Sequence, residues 1–381
     1  MLTNLIAMSA RRMTIKTPRN RLLPFLLVGA TAGLFSLPSH AEPYLAVYKG
    51  MQCSNCHTHT AGGGKRNVYG NVFAQAEMPA ERIGDPVTDQ WLGEISKWFA
   101  VGGDLRAEYR YVDTPNESST SEFDVTRGTI YLEANVIPNR LSIYIDEKVA
   151  PDSSENREAY IKYKSSSGKY QLTAGKFFLP YGLRLQDDTA YIRESTGINF
   201  NNPDEGVQFS YEAGSWSTQA SVTNGSGGGP ETDDGKQVSW IGQYVAANWR
   251  VGASLNFNDA DAGDRDMQNV FVGLRTGPLV WLAEVDLISD DLPGGGSQDG
   301  FAGLFEGNWL FRKGHNVKLS YEYFDPDDDI SEDHQVRWSL LWEYTPIQFL
   351  QARVGARLYD GIPQIDQQNR DEVFAELHGF F

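Results

Sequence analysis

The chain has 381 residues, with 50 acidic against 33 basic side chains, a net charge of −17, and only two cysteines. That charge argues against a nucleic-acid partner, because phosphate binding needs clustered Lys and Arg, and two cysteines within one short motif exclude a disulfide framework. Mean hydropathy is −0.42, yet 19 Phe, 18 Tyr, 9 Trp and 38 Gly give a chain rich in aromatics and poor in long apolar runs, which suits an all-β protein, including one that crosses a membrane as a barrel.

The first element is an export signal. Arg11, Arg12, Lys16, Arg19 and Arg21 form a basic leader, Leu22 to Leu37 an apolar core, and Ala41 a small residue after which cleavage is expected. Beyond it no stretch has the roughly 18 consecutive apolar residues of a membrane helix.

Next comes Cys53-Ser54-Asn55-Cys56-His57. C-x-x-C-H is the attachment pattern of haem c. Two thiols spaced by two residues can add to the two vinyl groups, and the adjacent His57 then lies under the iron as its proximal ligand. A redox C-x-x-C would sit near a βαβ pattern, and zinc would need two more ligands close by; neither is present. In the stretch that follows, Gly62, Gly63 and Gly64 allow the backbone to approach a flat macrocycle. Tyr69 and Phe73, four apart, share one helical face that could cover it. For the sixth iron ligand, Met78 is a candidate 21 residues past His57. His59 is too near His57 in sequence to reach round the ring. His315, His334 and His378 are distant candidates, and an open site is a further alternative. Residues 42–99 therefore read as a small, mostly α, monohaem cytochrome c domain. Some sixty residues are too few for a large core, so the haem supplies much of the hydrophobic centre. Trp91 to Phe99 reads as a short amphipathic linker.

From Val101 the hydrophobic period becomes two. Sixteen strands are expected, from 101–112 and 124–137 through 170–182 to 333–346, 347–361 and 371–381. Short turns, such as Pro138-Asn139, Trp249-Arg250 and Thr345-Pro346, alternate with longer polar loops such as 113–123, 183–205 and 327–332. Short turns on one rim and long loops on the other are the pattern of an outer-membrane barrel. The faces agree. Val336, Trp338, Leu340, Trp342 and Tyr344 oppose Arg337, Ser339 and Glu343, and Leu350, Ala352, Val354, Ala356 and Leu358 oppose Arg353 and Arg357. Lipid claims the apolar face, since a Lys or Arg there costs roughly 2–4 kcal/mol at the midplane. The last strand alternates through Val373, Ala375, Leu377 and Gly379 to a terminal Phe381. The fold class is thus a 16-stranded antiparallel outer-membrane β-barrel over 100–381, preceded by the haem domain.

A leader, one C-x-x-C-H, a short haem domain and a barrel in one chain resemble the fused monohaem cytochrome–porins of the bacterial outer membrane. The motif likeness runs from Tyr44 through Cys53, Cys56 and His57 to Asn67-x-Tyr69-Gly70-x-x-Phe73. Ala174 to Gly182, with Phe177, Pro180 and Tyr181, is also similar to a segment of phosphate-selective-type porins. The glycine insert Gly62-Gly63-Gly64 is a departure from the iron-oxidising members. The resemblance implies one covalent haem c passing electrons between an extracellular donor, with Fe(II) a candidate, and a periplasmic c-type cytochrome; the activity would be an Fe(II):cytochrome c oxidoreduction. The residues leave a second reading open: a porin-type solute channel in which Lys162, Arg127, Arg337, Arg353 and Arg357 tune selectivity and the haem is a sensor or gate.

Overall fold

The computed structural model describes residues 42–198, 202–261, 263–292 and 295–381; the expected leader, 1–41, lies outside them. Sixteen strands alternate apolar-out and polar-in: β1 (Phe99–Asp113), β2 (Thr120–Ile137), β3 (Leu141–Ala150), β4 (Glu155–Lys164), β5 (Tyr170–Phe177), β6 (Asp204–Ala213), β7 (Trp216–Thr223), β8 (Gln237–Val245), β9 (Trp249–Asn258), β10 (Arg265–Thr276), β11 (Leu279–Asp291), β12 (Ser297–Arg312), β13 (His315–Asp325), β14 (Gln335–Ile347), β15 (Leu350–Asp360) and β16 (Asp371–Phe380). Each pairs antiparallel with its sequence neighbour, and β16 pairs with β1, Asp371 opposite Asp113 and Phe380 opposite Asp104. The sheet therefore closes, leaving no edge strand with unpaired backbone groups. Both barrel ends fall on the short-turn rim, as an even strand number requires.

Three boundaries differ from the sequence reading. The β8–β9 turn is Ala246–Asn248, not Trp249-Arg250, and the β14–β15 turn is Gln348–Phe349, not Thr345-Pro346. Within the expected linker Trp91–Phe99, Glu94–Ser96 pairs as a short strand against the start of β1. The larger difference is at β5, which ends at Phe177 rather than 182, because Pro180 cannot donate to a ladder and Gly182 takes a left-handed φ of 54°.

Outward, the strands present an apolar band. On β10, Val270, Val272 and Leu274 are exposed while Met267, Asn269 and Phe271 are buried. Aromatic clusters mark both rims: Trp216, Tyr244 and Trp249 at the short-turn end, and Phe301 with Tyr323 near the long loops. His315 stacks on Tyr344 at 4.2 Å in the short-turn belt, and His334 on Tyr323.

The lumen is filled by two segments. The first is the chain's N-terminal part, which contains α1 (Pro43–Lys49) and α2 (Val68–Ala76). Pro43 at N1 starts α1, where a missing N–H costs nothing, and Gly50 ends it in the left-handed region with its N–H on the Val47 carbonyl. The second is the β5–β6 connection, which turns inward rather than standing as an outer loop. It carries a single helical turn, α3 (Tyr191–Glu194). Gly182 N–H donates to Ser254 Oγ at 3.0 Å, Tyr191 N–H to Glu322 at 2.8 Å, and the Arg337 guanidinium to Asp187 at 3.0 Å. Tyr44 and Val47 of α1 pack with Leu183, Leu185 and Ile192 of this loop and with Ile241, Phe271, Leu282 and Leu304 of the wall. Here the lumen wall is apolar, because it faces protein rather than water.

Candidate functional site

The Cys53–His57 motif sits inside the barrel. Cys53–Asn55 is one 3-10 turn, and Gln52 N–H donates to Asn55 Oδ1 at 2.9 Å to cap it. The His57 N–H bonds the Cys53 carbonyl, and the chain then doubles back, Thr58 N–H donating to the Lys65 carbonyl at 3.0 Å. Gly62, Gly63 and Gly64 make that reversal with φ of 90°, 74° and 61°, a backbone that residues with a Cβ resist. A Cβ on Gly62 would come within 3.3 Å of the Cys53 Sγ.

Asn67 caps α2 by accepting the Gly70 N–H, while its amide donates to the carbonyls of Ser54 and His57. One residue thus ties the helix to the motif. At Gly70 the helix meets the motif backbone so closely that a Cβ would lie 2.0 Å from the Cys56 carbonyl oxygen. Gly70→Ala should therefore lower the yield of haem-bearing protein, measured by pyridine haemochrome against barrel content. Helix propensity alone favours Ala by about 1 kcal/mol, but overpacking costs about 1–3 kcal/mol. A yield equal to wild type would show that α2 does not depend on this contact.

Cys53, Cys56 and His57 all line one cavity, together with Leu45, Met51, Phe73, Met78, Leu179 and Ile241. Both cysteines are free thiols. His57 is buried, with both ring nitrogens closed off from solvent. Burial, aided by the Arg66 cation and opposed by the Gly64 backbone, brings its pKa down to about 3, so the imidazole is neutral. Burial also pushes the Cys56 thiol up to about 11. Three guanidinium residues, Arg66, Arg184 and Arg250, line the cavity against a single carboxylate, Glu42. Burial lowers both Arg66 and Arg184 to about 10. An apolar cavity bounded by two thiols and a neutral imidazole, with an excess of buried cation, fits haem c and its two propionates.

Of the sequence-expected residues, Cys53, Cys56, His57, Phe73 and Met78 converge on this cavity. Met78 is buried in a cluster with Phe73, Ala74 and Phe380. Tyr69 shares a helix face with Phe73, ring centroids 6.4 Å apart, but is exposed; it lines a second, larger cavity at the short-turn mouth, beside His57, Arg140 and Lys169. His59 is directed elsewhere: its Nδ1 accepts the Ala61 N–H, its ring abuts Tyr160 at 6.2 Å, and its Nε2 lies 3.8 Å from Glu158. His378, also buried, pairs with Asp104 at 3.1 Å. Neither of these, nor His315 or His334, lines the cavity.

Sequence reasoning missed Arg66, Arg184, Arg250 and the inward loop that brings Leu179, Tyr181 and Leu183 to the cavity. The break at Pro180 and Gly182 is the signal that could have revealed the loop.

No family model matches the chain, and no curated protein matches it in sequence. Solved structures do match in fold. A loop L8 deletion mutant of OmpT, an outer membrane protein of Vibrio cholerae, aligns with a TM-score of 0.60 at 14% identity, over 74% of this chain and 99% of that one. An anion-selective porin from Comamonas acidovorans aligns at 0.59 and 10% identity, over 74% and 99%. The outer membrane channel DcaP of Acinetobacter baumannii aligns at 0.54 and 13%, over 74% and 97%. The chain thus has the sixteen-stranded fold of these porins, with a lumen occupied by its own N-terminal segment.

Proposed function

We propose that this chain is an outer-membrane electron-transfer protein, in which one covalent haem c is held inside a porin-like barrel. The observation that carries this reading is the convergence of Cys53, Cys56 and His57 on one apolar cavity in the lumen. Haem c, when bound, supplies a one-electron redox couple at its iron. Cys53 and Cys56 would hold it by thioether bonds, His57 would be the proximal ligand, and Met78 is the residue best placed in the lining to be the sixth. Phe73 would cover one face, Tyr69 would guard the mouth, and Arg66, Arg184 and Arg250 would neutralise the propionates.

The apolar band, the two aromatic rims and the porin-like fold support an outer-membrane location. The short-turn rim, with the N-terminal segment and the larger mouth, would then face the periplasm and a periplasmic c-type cytochrome. The long loops would face an extracellular donor, with Fe(II) the first candidate. A hydrocarbon core is about 30 Å thick, so a haem carried within the lumen serves both sides better than one tethered outside.

The porin neighbours favour a second reading, a solute channel with haem as sensor or gate. The packed lumen weighs against it: α1 and the inward loop share one hydrophobic core with the wall.

The test is to mix air-oxidised, detergent-purified protein with Fe(II) under anaerobic conditions and follow the haem α-band. The reduced band is expected within seconds. Reduction by dithionite but not by Fe(II) would reject iron as donor, and absence of any haem spectrum would reject the whole reading.

A further inference from the structure

Outside the cavity that holds Cys53 and His57, a second space opens in the outer half of the lumen. It offers about 310 Å³ between the inward loop at Gln186–Thr189 and the wall of β1–β4, β15 and β16, and reaches Pro151 at the long-loop rim. Six arginines line it, Arg106, Arg110, Arg127, Arg157, Arg353 and Arg357, with Lys148. The lining carboxylates are Glu108, Asp187, Asp188 and Glu376, so seven cations face four anions in a chain whose net charge is −17.

The pairing explains the surplus. Each of the four carboxylates is engaged by one close arginine: Arg110 with Glu108 at 2.7 Å, Arg127 with Asp188 at 2.5 Å, Arg357 with Asp187 at 2.8 Å and Arg353 with Glu376 at 3.0 Å. The other three cations turn to carboxylates that do not line the space: Arg106 to Asp104 at 3.5 Å, Lys148 to Glu155 at 3.7 Å and Arg157 to Asp146 at 3.9 Å. Two lining arginines meet a carboxylate only at long range: Arg106 Nε lies 3.5 Å from Asp104 and Arg353 Nε 3.7 Å from Glu343. Their side chains are 11% and 6% exposed. Buried donors are ordinarily satisfied, and a planar guanidinium suits a carboxylate or phosphate oxygen pair.

We propose that this outer vestibule is a binding site for a small oxyanion of the carboxylate or phosphate class. The acidic long loops, of which Asp327–Asp329 is the densest run, do not contradict it. Exposed charges are screened within about 8 Å at physiological salt, whereas charges inside the lumen are screened much less. The Arg157 and Arg184 guanidiniums both stack on Phe178, at 5.1 and 4.4 Å, and Arg184 donates to the Gly62 carbonyl at 2.6 Å. The site belongs to the barrel wall and does not depend on haem.

The test uses the full mature chain in detergent, with calorimetric titration of inorganic phosphate, citrate and MgCl₂. Saturable binding is expected for citrate, phosphate or both, the stronger of the two marking the ligand's class, with none for Mg²⁺. Arg106→Gln should weaken it about tenfold, the effect of losing one charge-assisted hydrogen bond. Lys148→Gln, at the more accessible rim, should weaken it about threefold with no effect on folding. Both variants should still show the heat-dependent gel shift of a folded barrel. A Cys53→Ala/Cys56→Ala chain should bind as the parent does, which separates this site from the haem reading. Absence of saturable binding by either anion, binding of Mg²⁺ in their place, or anion binding unchanged in both folded variants would overturn the proposal.

Discussion

Cys53→Ala/Cys56→Ala is expected to abolish covalent haem entirely, leaving no haem-stained band on a denaturing gel, while the barrel still folds. The two outcomes separate because the contacts that hold the N-terminal segment do not run through the thiols. Tyr44 donates to Glu343 at 2.9 Å, Lys65 pairs with Glu133 at 3.2 Å, and Thr60 hydrogen-bonds Gln219 at 3.1 Å. The barrel itself is closed by sixteen antiparallel pairings, none of which involves residues 53–57. The cost of the lost group falls on the cavity. The apolar lining of Leu45, Phe73, Met78, Leu179 and Ile241 would be left to water or collapse, and lost packing of this kind is costly. The N-terminal segment should consequently become more sensitive to protease than the strands. His57→Ala should differ in kind, retaining both thioether bonds and a haem-stained band but with an altered oxidised spectrum. A haem stain that survives loss of both thiols would show that the C-x-x-C-H motif is not the attachment site.

How much of this could be read from the chain depends on which force placed each part. The barrel was readable because lipid and lumen impose opposite demands at every second residue. The alternation Val336, Trp338, Leu340, Trp342 against Arg337 and Glu343 survives intact in β14. The Cys53–His57 motif stands out in the chain because thiol spacing is local, and Cys53, Cys56, His57 and Met78 all line one cavity. What could not be read lies where two segments share the lumen. The connection after β5 carries Asp187, Asp188 and Arg193 and looks like a solvated outer loop. Inside, Arg337 and Arg357 of the wall, 150 and 170 positions away, engage Asp187, Arg127 pairs with Asp188, and Arg193 donates to the Tyr181 and Leu183 carbonyls of its own loop. Lumen-facing Ile241, Phe271 and Leu282 break the polar-in rule for the same reason: they face α1 and the inward loop, and no local pattern reports that. The turns at Ala246–Asn248 and Gln348–Phe349 were misplaced because the neighbouring strands run longer or shorter than the alternation alone suggests. Phe349, at φ 70°, holds a conformation more typical of glycine.

Lys318→Met is expected to unseat the N-terminal segment and raise the channel conductance of a barrel that is otherwise closed. The Lys318 ammonium lies 3.3 Å from Glu42, 3.7 Å from Glu306 and 3.9 Å from Glu343, and all four side chains are buried. Arg353, 3.7 Å from Glu343, is the other cation in the cluster. Removing one partner of a buried ion pair costs roughly 3–5 kcal/mol, because the other charge is left uncompensated. Glu42 and Glu306 would lose their ion-pair partner, and Glu343 would keep only Arg353, which also engages Glu376 at 3.0 Å. Glu306 and Glu343 are fixed in the ladders of β12 and β14, so the strain is relieved where attachment is weakest, at Glu42 and α1. Planar-bilayer recordings should show larger and more frequent openings than wild type, and limited proteolysis should cut first within residues 42–52. Adding Glu42→Gln to Lys318→Met removes one of the stranded charges and should restore part of the closure. A coupling between the two sites is the result expected for neighbours in one charge network. Conductance and protease resistance equal to wild type in Lys318→Met would mean that the segment is held by its apolar contacts, Val47 against Gly273 and Leu282, rather than by this cluster.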